Sequence, residues 1–437
     1  MKQFIDYPFE LFKKIDIQDA YPLAERWLAA IRAIPAISAA EISGDLRRGK
    51  PAVTQVEIAV ASPDPSAALA DIIHLAGGQQ NFAQFDDCVV FQFENGIELV
   101  IWLAAPASFG SLLHDTTGTQ AHHQWLSLKA ALKGLKYESG LIWRRNETLA
   151  FADETALYEH IGIPYVPPEI REGFLEDEWL YSAESEPLIS GQDISADLHV
   201  HTTWSDGKNS IAEMAEAAVN QGLTLIAITD HSPGVLRGRY QDHSYLFRAQ
   251  TEIDTLNRDY AGRLEILKGA EVDIRPDGTL DLADEVLAQM DIVIASIHSA
   301  YDQPEELITA RYLKAISNPY VNIIGHPGGR LFPMVDVSEL DWDSIIPAAA
   351  SHQVALEINS HKAQPLFDER KVRQAAEMGA LIVMDSDAHH TGMFADTRYG
   401  VFIARRAGLR KDHVINTWSN EQIRSWLRKK RKLTHGG

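Results

Sequence analysis

The sequence predicts an α/β protein whose C-terminal half is a barrel of seven parallel strands, incomplete or distorted, preceded by a smaller, less regular α+β part. Three observations predict it. Seven short apolar runs, at 197–201, 225–229, 264–271, 292–297, 321–325, 354–358 and 381–385, have the lengths of strands buried on both faces. Helix-like segments separate most of them. Nearly every run closes on a histidine or an acid, a pattern that core packing alone does not require.

In chain order, 20–34 reads as an amphipathic helix, and 56–60, 88–93 and 96–103 read as strands of a small mixed sheet. Residues 120–132 read as a second helix. Pro164, Pro167 and Pro168 then interrupt regular structure, and an acidic stretch over 172–186 follows, a linker or surface crossing. Beyond it the alternation begins. Its helices are expected at 210–220, N-capped by Asn209 or Ser210, at 304–317, and at 369–378, stopped by Gly379.

A chain of 437 residues implies two or three domains. A hydrophobic share of 45% and a charged share of 23% are ordinary for a globular protein, and no run of 18 apolar residues offers a membrane span. Met1-Lys2-Gln3-Phe4 does not open an apolar signal core, so a cytoplasmic location is expected. Cys88 is the single cysteine. No intramolecular disulfide is possible, and the apolar run around Cys88 points to a buried thiol rather than a nucleophile. Net charge is −21. Residues 1–190 carry 14 basic against 27 acidic residues, and 191–437 carry 26 against 34. The broad basic footprint of most nucleic-acid binders is therefore absent. The one basic cluster, Arg428 to Lys432, reads as a solvated helix end or as a phosphate-binding arm.

The strand ends carry the chemistry. The first run closes on His199 and His201, with Asp206 soon after, and the second on Asp230 and His231. The third carries Glu271, the fourth leads to His298, and the fifth to His326. The sixth carries Glu357 and Asn359, and the seventh is followed by Asp387 and His389. All strand C-termini of a parallel barrel open on one face, so these residues converge on one mouth. Imidazole with carboxylate suits Zn, Mn or Fe, and nine ligands at three or four per ion imply two or three divalent metals. Such a cluster polarises phosphoryl oxygens and lowers the pKa of a water that attacks in line. A lone buried histidine is more often structural. For His243, His352, His361, His390, His413 and His435 that reading wins, with His361 and His390 the two outsiders nearest the register.

On these residues the chain resembles the PHP (polymerase and histidinol phosphatase) family. The motifs are Asp197-Leu-His-Val-His-Thr-Thr-Trp-Ser-Asp-Gly207, Thr229-Asp-His-Ser232, Gly269-Ala-Glu-Val-Asp-Ile274, Ala295-Ser-Ile-His-Ser299, Gly325-His-Pro327 and Ser386-Asp-Ala-His389. The resemblance covers 195–437 and implies a distorted (β/α)7 barrel with three metal sites. One would use His199, His201, Glu271 and Asp387. A second would share Glu271 and add His298 and His326, and the third would take Asp206, His231 and His389. Within that family the chain is most similar to bacterial family X DNA polymerases with a C-terminal PHP domain. Ser43-Gly-Asp-Leu-Arg-Arg-Gly49 resembles the palm motif, Pro106 to Gly110 and Thr117 to His122 its continuation into the thumb, and Tyr165 to Arg171 the approach to the PHP domain. This implies a degenerate palm over 1–105, a thumb-like segment and linker over 106–190, and the phosphoesterase over 195–437. The resemblance also implies that the lyase and finger segments of those polymerases have no counterpart here.

The departures lie in the palm. Where the family places its aspartates this chain has Gln55, Glu57 and Glu98, and Asp45 stands where a serine would help hold triphosphate. Mg demands short bonds in near-octahedral geometry, so nucleotidyl transfer is expected to be lost. The expected substrate is a phosphate ester: a DNA or RNA 3′ end trimmed 3′–5′, a nucleotide, or a small phosphomonoester. The contrasting reading is a metal-stabilised, non-catalytic interaction module. Arg330 is the expected phosphate clamp, acting with the proposed catalytic set His199, His201, Glu271 and Asp387. Lys268 and Arg237 are weaker candidates, and Asp273 is expected to support a ligand.

Overall fold

A computed structural model describes residues 14–77, 81–93, 96–144, 147–182, 187–236, 242–328, 339–361 and 367–435. Its contacts divide the chain into two compact units, Met1–Pro187 and Leu188–Gly437. The palm-like and thumb-like segments share the first.

In the first unit, β1 (Ala39–Ser43), β2 (Gln55–Ala61), β3 (Asn81–Gln84), β4 (Cys88–Gln92) and β5 (Glu98–Ala104) form one sheet in the order β1-β2-β5-β4-β3. Only β2 and β5 run parallel, and their alternating Val56, Ile58, Leu99 and Ile101 are buried. The expected first helix is Ile17–Arg32, N-capped by Asp16, whose side chain accepts from Gln18 N at 2.9 Å. It buries Ile17, Ala20, Ala24 and Ile31. Strand β1 escaped the sequence reading because Ala-Ala-Glu-Ile-Ser is no apolar run. Cys88 is buried, and burial, with Asp87 and Glu57 near, pushes its thiol up to about 12, which makes it a poor nucleophile.

Polar groups hold the rest of this unit. Arg171 is fully buried and donates to Glu154, whose carboxylate also takes both terminal nitrogens of Arg47 at 3.0 and 2.7 Å. Arg48 donates to Glu172 at 2.9 Å. A buried hydrogen-bond chain runs from His123 through Tyr137, His114, Tyr158 and His122 to Glu176, with steps of 2.7 to 3.1 Å.

The second unit is a seven-stranded parallel sheet in sequential order: β6 (Ala196–Val200), β7 (Leu225–Ile228), β8 (Glu265–Asp273), β9 (Ile292–Ser296), β10 (Ile323–Ile324), β11 (Ala355–Asn359) and β12 (Leu381–Asp385). Period-two alternation sorts its apolar residues. Leu198, Leu225, Ala227, Leu267, Ile294 and Val383 pack with one another inside, while Ile226, Ile266, Val293 and Ile382 pack outward on the helices. The capping box Ser210/Glu213 opens helix Ile211–Asn220, Pro304 precedes helix Glu305–Ser317, and Asp368 caps helix Glu369–Glu377.

The barrel closes between β6 and β12 without a regular ladder. Val200 bridges Ala388, His201 N donates to Ala388 O at 2.9 Å, and Leu198 N donates to Asp385 Oδ1 at 2.7 Å. Ser386 N donates to Asp197 Oδ1 at 3.3 Å, so buried carboxylates do at this seam what main-chain carbonyls do elsewhere. Helix Asn420–His435 plugs the opposite end. Its Ile423, Trp426 and Leu427 join the inner core, and Trp426 Nε1 donates to Gln353 O at 3.1 Å. Lys430, from the basic tail, is buried with its ammonium donating to His352 O at 3.2 Å, and burial lowers it to about 8. That ammonium caps the C-terminal carbonyl of helix Trp342–His352; Lys430 is neither a solvated side chain nor part of a phosphate-binding arm.

Candidate metal centre

The strand ends of the barrel bring all nine sequence-predicted metal ligands together. Glu271, on β8 and fully buried, is the hub. Its Oε2 lies 2.8 Å from His231 Nδ1, 3.4 Å from His199 Nε2 and 3.5 Å from His201 Nε2. Its Oε1 lies 2.8 Å from His326 Nε2 and 3.3 Å from His298 Nε2. Asp387 Oδ1 stands 3.1 Å from His201 Nε2 and 3.5 Å from His199 Nε2. Asp206 Oδ2 stands 3.4 Å from His389 Nε2 and 3.6 Å from His231 Nε2.

Three sets of donor atoms each fall within 4.8 Å of one another: His201, Asp206, His231 and His389; His199, His201 and Asp387; His231, Glu271 and His298. His201 and His231 each belong to two sets, so the groups form one continuous cluster.

The residues fit divalent cations. His199 Nε2, His201 Nε2, His231 Nδ1 and Glu271 Oε2 are buried and make no hydrogen bond of acceptable geometry, although they crowd together. Lone pairs that converge on a shared point and not on one another are what a metal site presents. Electrostatics agree. Burial would raise Glu271, but His231, His298 and His199 hold it well below the usual carboxylate range. Burial would lower His199, but Asp387, Glu357 and Glu271 hold it well above the usual imidazole range. His231 rises to about 10 because Glu271 and Asp206 outweigh its burial. The carboxylates draw positive charge into a largely buried cluster, a role divalent ions can fill.

Local backbone serves the cluster. His326 (φ 28°) and Asp387 (φ 53°) sit in the left-handed region, strain of the kind that surrounding contacts must hold. The Ser205-Asp206-Gly207 loop folds back so closely that a Cβ on Gly207 would stand 2.7 Å from the His201 carbonyl. Asp230 pins the same loop, accepting from Thr202 N and Thr202 Oγ1 at 2.7 Å each, and from Ser205.

Outside the ligand set, Asp273 Oδ1 accepts from His298 N at 3.0 Å and lies 3.5 Å from His298 Nδ1. The ring of His361 stacks on His389 with centroids 6.2 Å apart. His390 instead accepts from Gly392 N at 3.2 Å in a helical cap. Lys268 does not join the mouth: its ammonium pairs with Asp254 at 2.7 Å, because strand alternation turns it to the side opposite Glu271. Arg330 and Arg237 lie outside the described residues. The sequence reading noted Glu357 and Asn359 at their strand end without a role, and passed over Asp385. Their shared signal was the strand-end register itself.

Residues 197–361 match the PHP domain family, and 112–172 match the DNA polymerase beta thumb family. The chain is 37% identical over 391 residues to the DNA polymerase/3′-5′ exonuclease PolX of Bacillus subtilis (strain 168), covering 89% of this chain and 68% of that protein. It is 33% identical over 254 residues to a probable phosphatase of Thermoanaerobacter sp. (strain X514), covering 55% of this chain and 97% of that protein. A probable phosphatase of Caldanaerobacter subterraneus subsp. tengcongensis is also 33% identical, over 259 residues, covering 55% of this chain and 94% of that protein.

Proposed function

The chain belongs to the PHP family of metal-dependent phosphoesterases, in the branch that joins the PHP domain to a polymerase-like thumb, and from that premise we propose that it trims nucleic-acid 3′ ends in the 3′–5′ direction. One observation carries the proposal: a single buried carboxylate, Glu271, within 2.8 to 3.5 Å of five imidazoles from four strand ends. We assign His199, His201, Glu271 and Asp387 to one ion, Glu271, His298 and His326 to a second, and Asp206, His231 and His389 to a third, with Mn, Zn or Fe as the fitting metals. When bound, divalent ions supply Lewis acidity toward a phosphoryl oxygen and lower the pKa of the attacking water. Glu271 holds its neighbours in register, and the strained turns at His326 and Asp387 aim their side chains inward. Asp206, half exposed at the rim, marks the side from which substrate enters. Arg330 is proposed as the clamp on the non-bridging oxygens.

Polymerase chemistry is proposed to be lost, and the palm's contacts support this. Glu57 is buried beneath Gly44 and accepts from Trp102 Nε1 at 3.1 Å, and Glu98 accepts from Gln92 Nε2 at 3.2 Å. Arg47 and Arg48, from the motif that resembles a triphosphate site, are engaged by Glu154 and Glu172.

The test is incubation of the purified protein with Mn and a 5′-labelled single strand beside a chromogenic phosphomonoester, with His199→Ala as control. Stepwise shortening from the 3′ end, absent in the control, is expected. Hydrolysis of the monoester alone would replace this reading with a small-molecule phosphatase. Activity retained in a folded His199→Ala would overturn both.

A further inference from the structure

We propose that Glu357 is a positioning residue for the metal centre, fixing the tautomer of His199 and the strained backbone of His326 through its two carboxylate oxygens. The proposal rests on the reading of His199, His326 and Asp387 as ligands.

Glu357 and Asn359 stand two apart on β11 and so share its inward face; both are fully buried. Glu357 Oε1 lies 2.6 Å from His199 Nδ1. Its Oε2 accepts from His326 N at 2.6 Å and from Asn359 Nδ2 at 3.1 Å. The same amide nitrogen donates to Asp387 Oδ2 at 2.9 Å. The orientation of that amide is settled by its other end, where Asn359 Oδ1 accepts from His361 N at 2.9 Å. Two side chains on one strand thus reach three proposed ligands, from β6, from the turn after β10 and from the turn after β12.

The chemistry of these contacts admits only a carboxylate. The backbone N–H of His326 and the amide of Asn359 are obligatory donors. The imidazole of His199 must donate from Nδ1 if its Nε2 is to offer a lone pair to an ion held also by Glu271 and Asp387, whose oxygens stand 3.4 and 3.5 Å from it. Glu357 therefore faces a donor at each oxygen. Glutamine has the same shape but one acceptor. With its NH2 toward His199, the imidazole proton moves to Nε2 and blocks the lone pair. With its NH2 toward His326, donor faces donor and the left-handed turn at φ 28° loses the bond that holds it. Either orientation damages a ligand without removing one.

The test compares wild type, Glu357→Gln and Asn359→Ala, each as the full chain. The readouts are circular dichroism, Mn stoichiometry and affinity by chelator competition, and long-range 15N–1H spectra of histidine-labelled, Zn-loaded protein to report the His199 tautomer. Glu357→Gln is expected to stay folded, to bind Mn roughly 10- to 100-fold more weakly, and to lower kcat at saturating Mn with KM unchanged. Asn359→Ala, which spares the His199 contact, is expected to weaken Mn less and to leave the tautomer as in wild type. A folded Glu357→Gln with wild-type Mn affinity and an unchanged tautomer would overturn the proposal while leaving the metal centre standing. A wild type that takes up no metal would overturn the ligand reading, and this inference with it. Should Glu357→Gln not fold, Glu357→Asp keeps both acceptors but draws them back by one methylene: weakened Mn binding supports the proposal, and full affinity refutes it.

Discussion

Arg171→Met tests whether the first unit is held by charge rather than by apolar packing. Arg171 is fully buried, donates to Glu154 and to Val166 O at 2.9 Å, and lies 5.5 and 5.3 Å from the ring centres of Tyr158 and Tyr165. Burial alone would raise Glu154, but Arg171 and then Arg47 bring it from 4.5 to about 2. A shift of that size corresponds to about 3 kcal/mol of preference for the ionised form in the folded state. Methionine keeps the volume and the contact with the rings but leaves Glu154 buried with Arg47 as its one remaining guanidinium. Breaking one arm of such a pair costs about 3–5 kcal/mol. Hydrogen exchange of helix Glu154–Ile161 in urea reads this loss locally, without assuming that the whole chain unfolds in one step. Because the folded pKa of Glu154 is depressed, its contribution is fully present above pH ~4.5 and lost as pH falls through ~2, so the variant should approach wild type at the acid end. Protection within about 0.5 kcal/mol of wild type at pH 7 would refute the argument.

Three other outcomes follow from the same contacts. Glu271→Gln removes the charge that five imidazoles share, so its loss of Mn affinity and of kcat should exceed the roughly 100-fold ceiling seen for outer partners, measured by chelator competition and phosphoester turnover. Gly207→Ala sets a methyl 2.7 Å from the His201 backbone and should displace Asp206, lowering metal content at the Asp206, His231 and His389 group by one ion per chain in elemental analysis. His122 is lowered from 6.5 to about 4 by burial, so the unfolded chain takes up a proton between those values that the folded one does not; the first unit should lose up to about 3 kcal/mol as pH falls from 6.5 to 4, and His122→Gln should flatten that slope in urea titrations.

The barrel was legible because strands buried on both faces read as apolar runs, as at 292–297 and 381–384, while β6 and β8 are broken by Asp197, His199, Lys268 and Glu271. Helix Ser244–Asp259 lacks end signals: its first turn holds no acid and its N-cap is His243, so the stripe of Tyr245, Leu246, Ala249 and Ile253 was its only mark. Helix Asn420–His435 looked like a basic tail because lysines and arginines dominate its end, and only packing shows Trp426, Leu427 and Lys430 turned inward. Strand β10 is two residues long, shorter than the 321–325 run that announced it, since the chain turns sharply at His326.

The sequence alone determined the strand count, the residues at each strand end and the kind of chemistry they support, because period-two burial and the handedness of parallel crossovers leave few arrangements for such a pattern. It did not determine which donor faces which. That Glu271 is the hub, that Glu357 orients His199, that Asp197 and Asp385 sit at the barrel seam, and that Arg47 is engaged by Glu154 were decided by tertiary structure. Each depends on distances of a few ångströms between residues up to about 190 positions apart, and a carboxylate in sequence looks the same whether it will bind a metal, steer an imidazole or hold a strand.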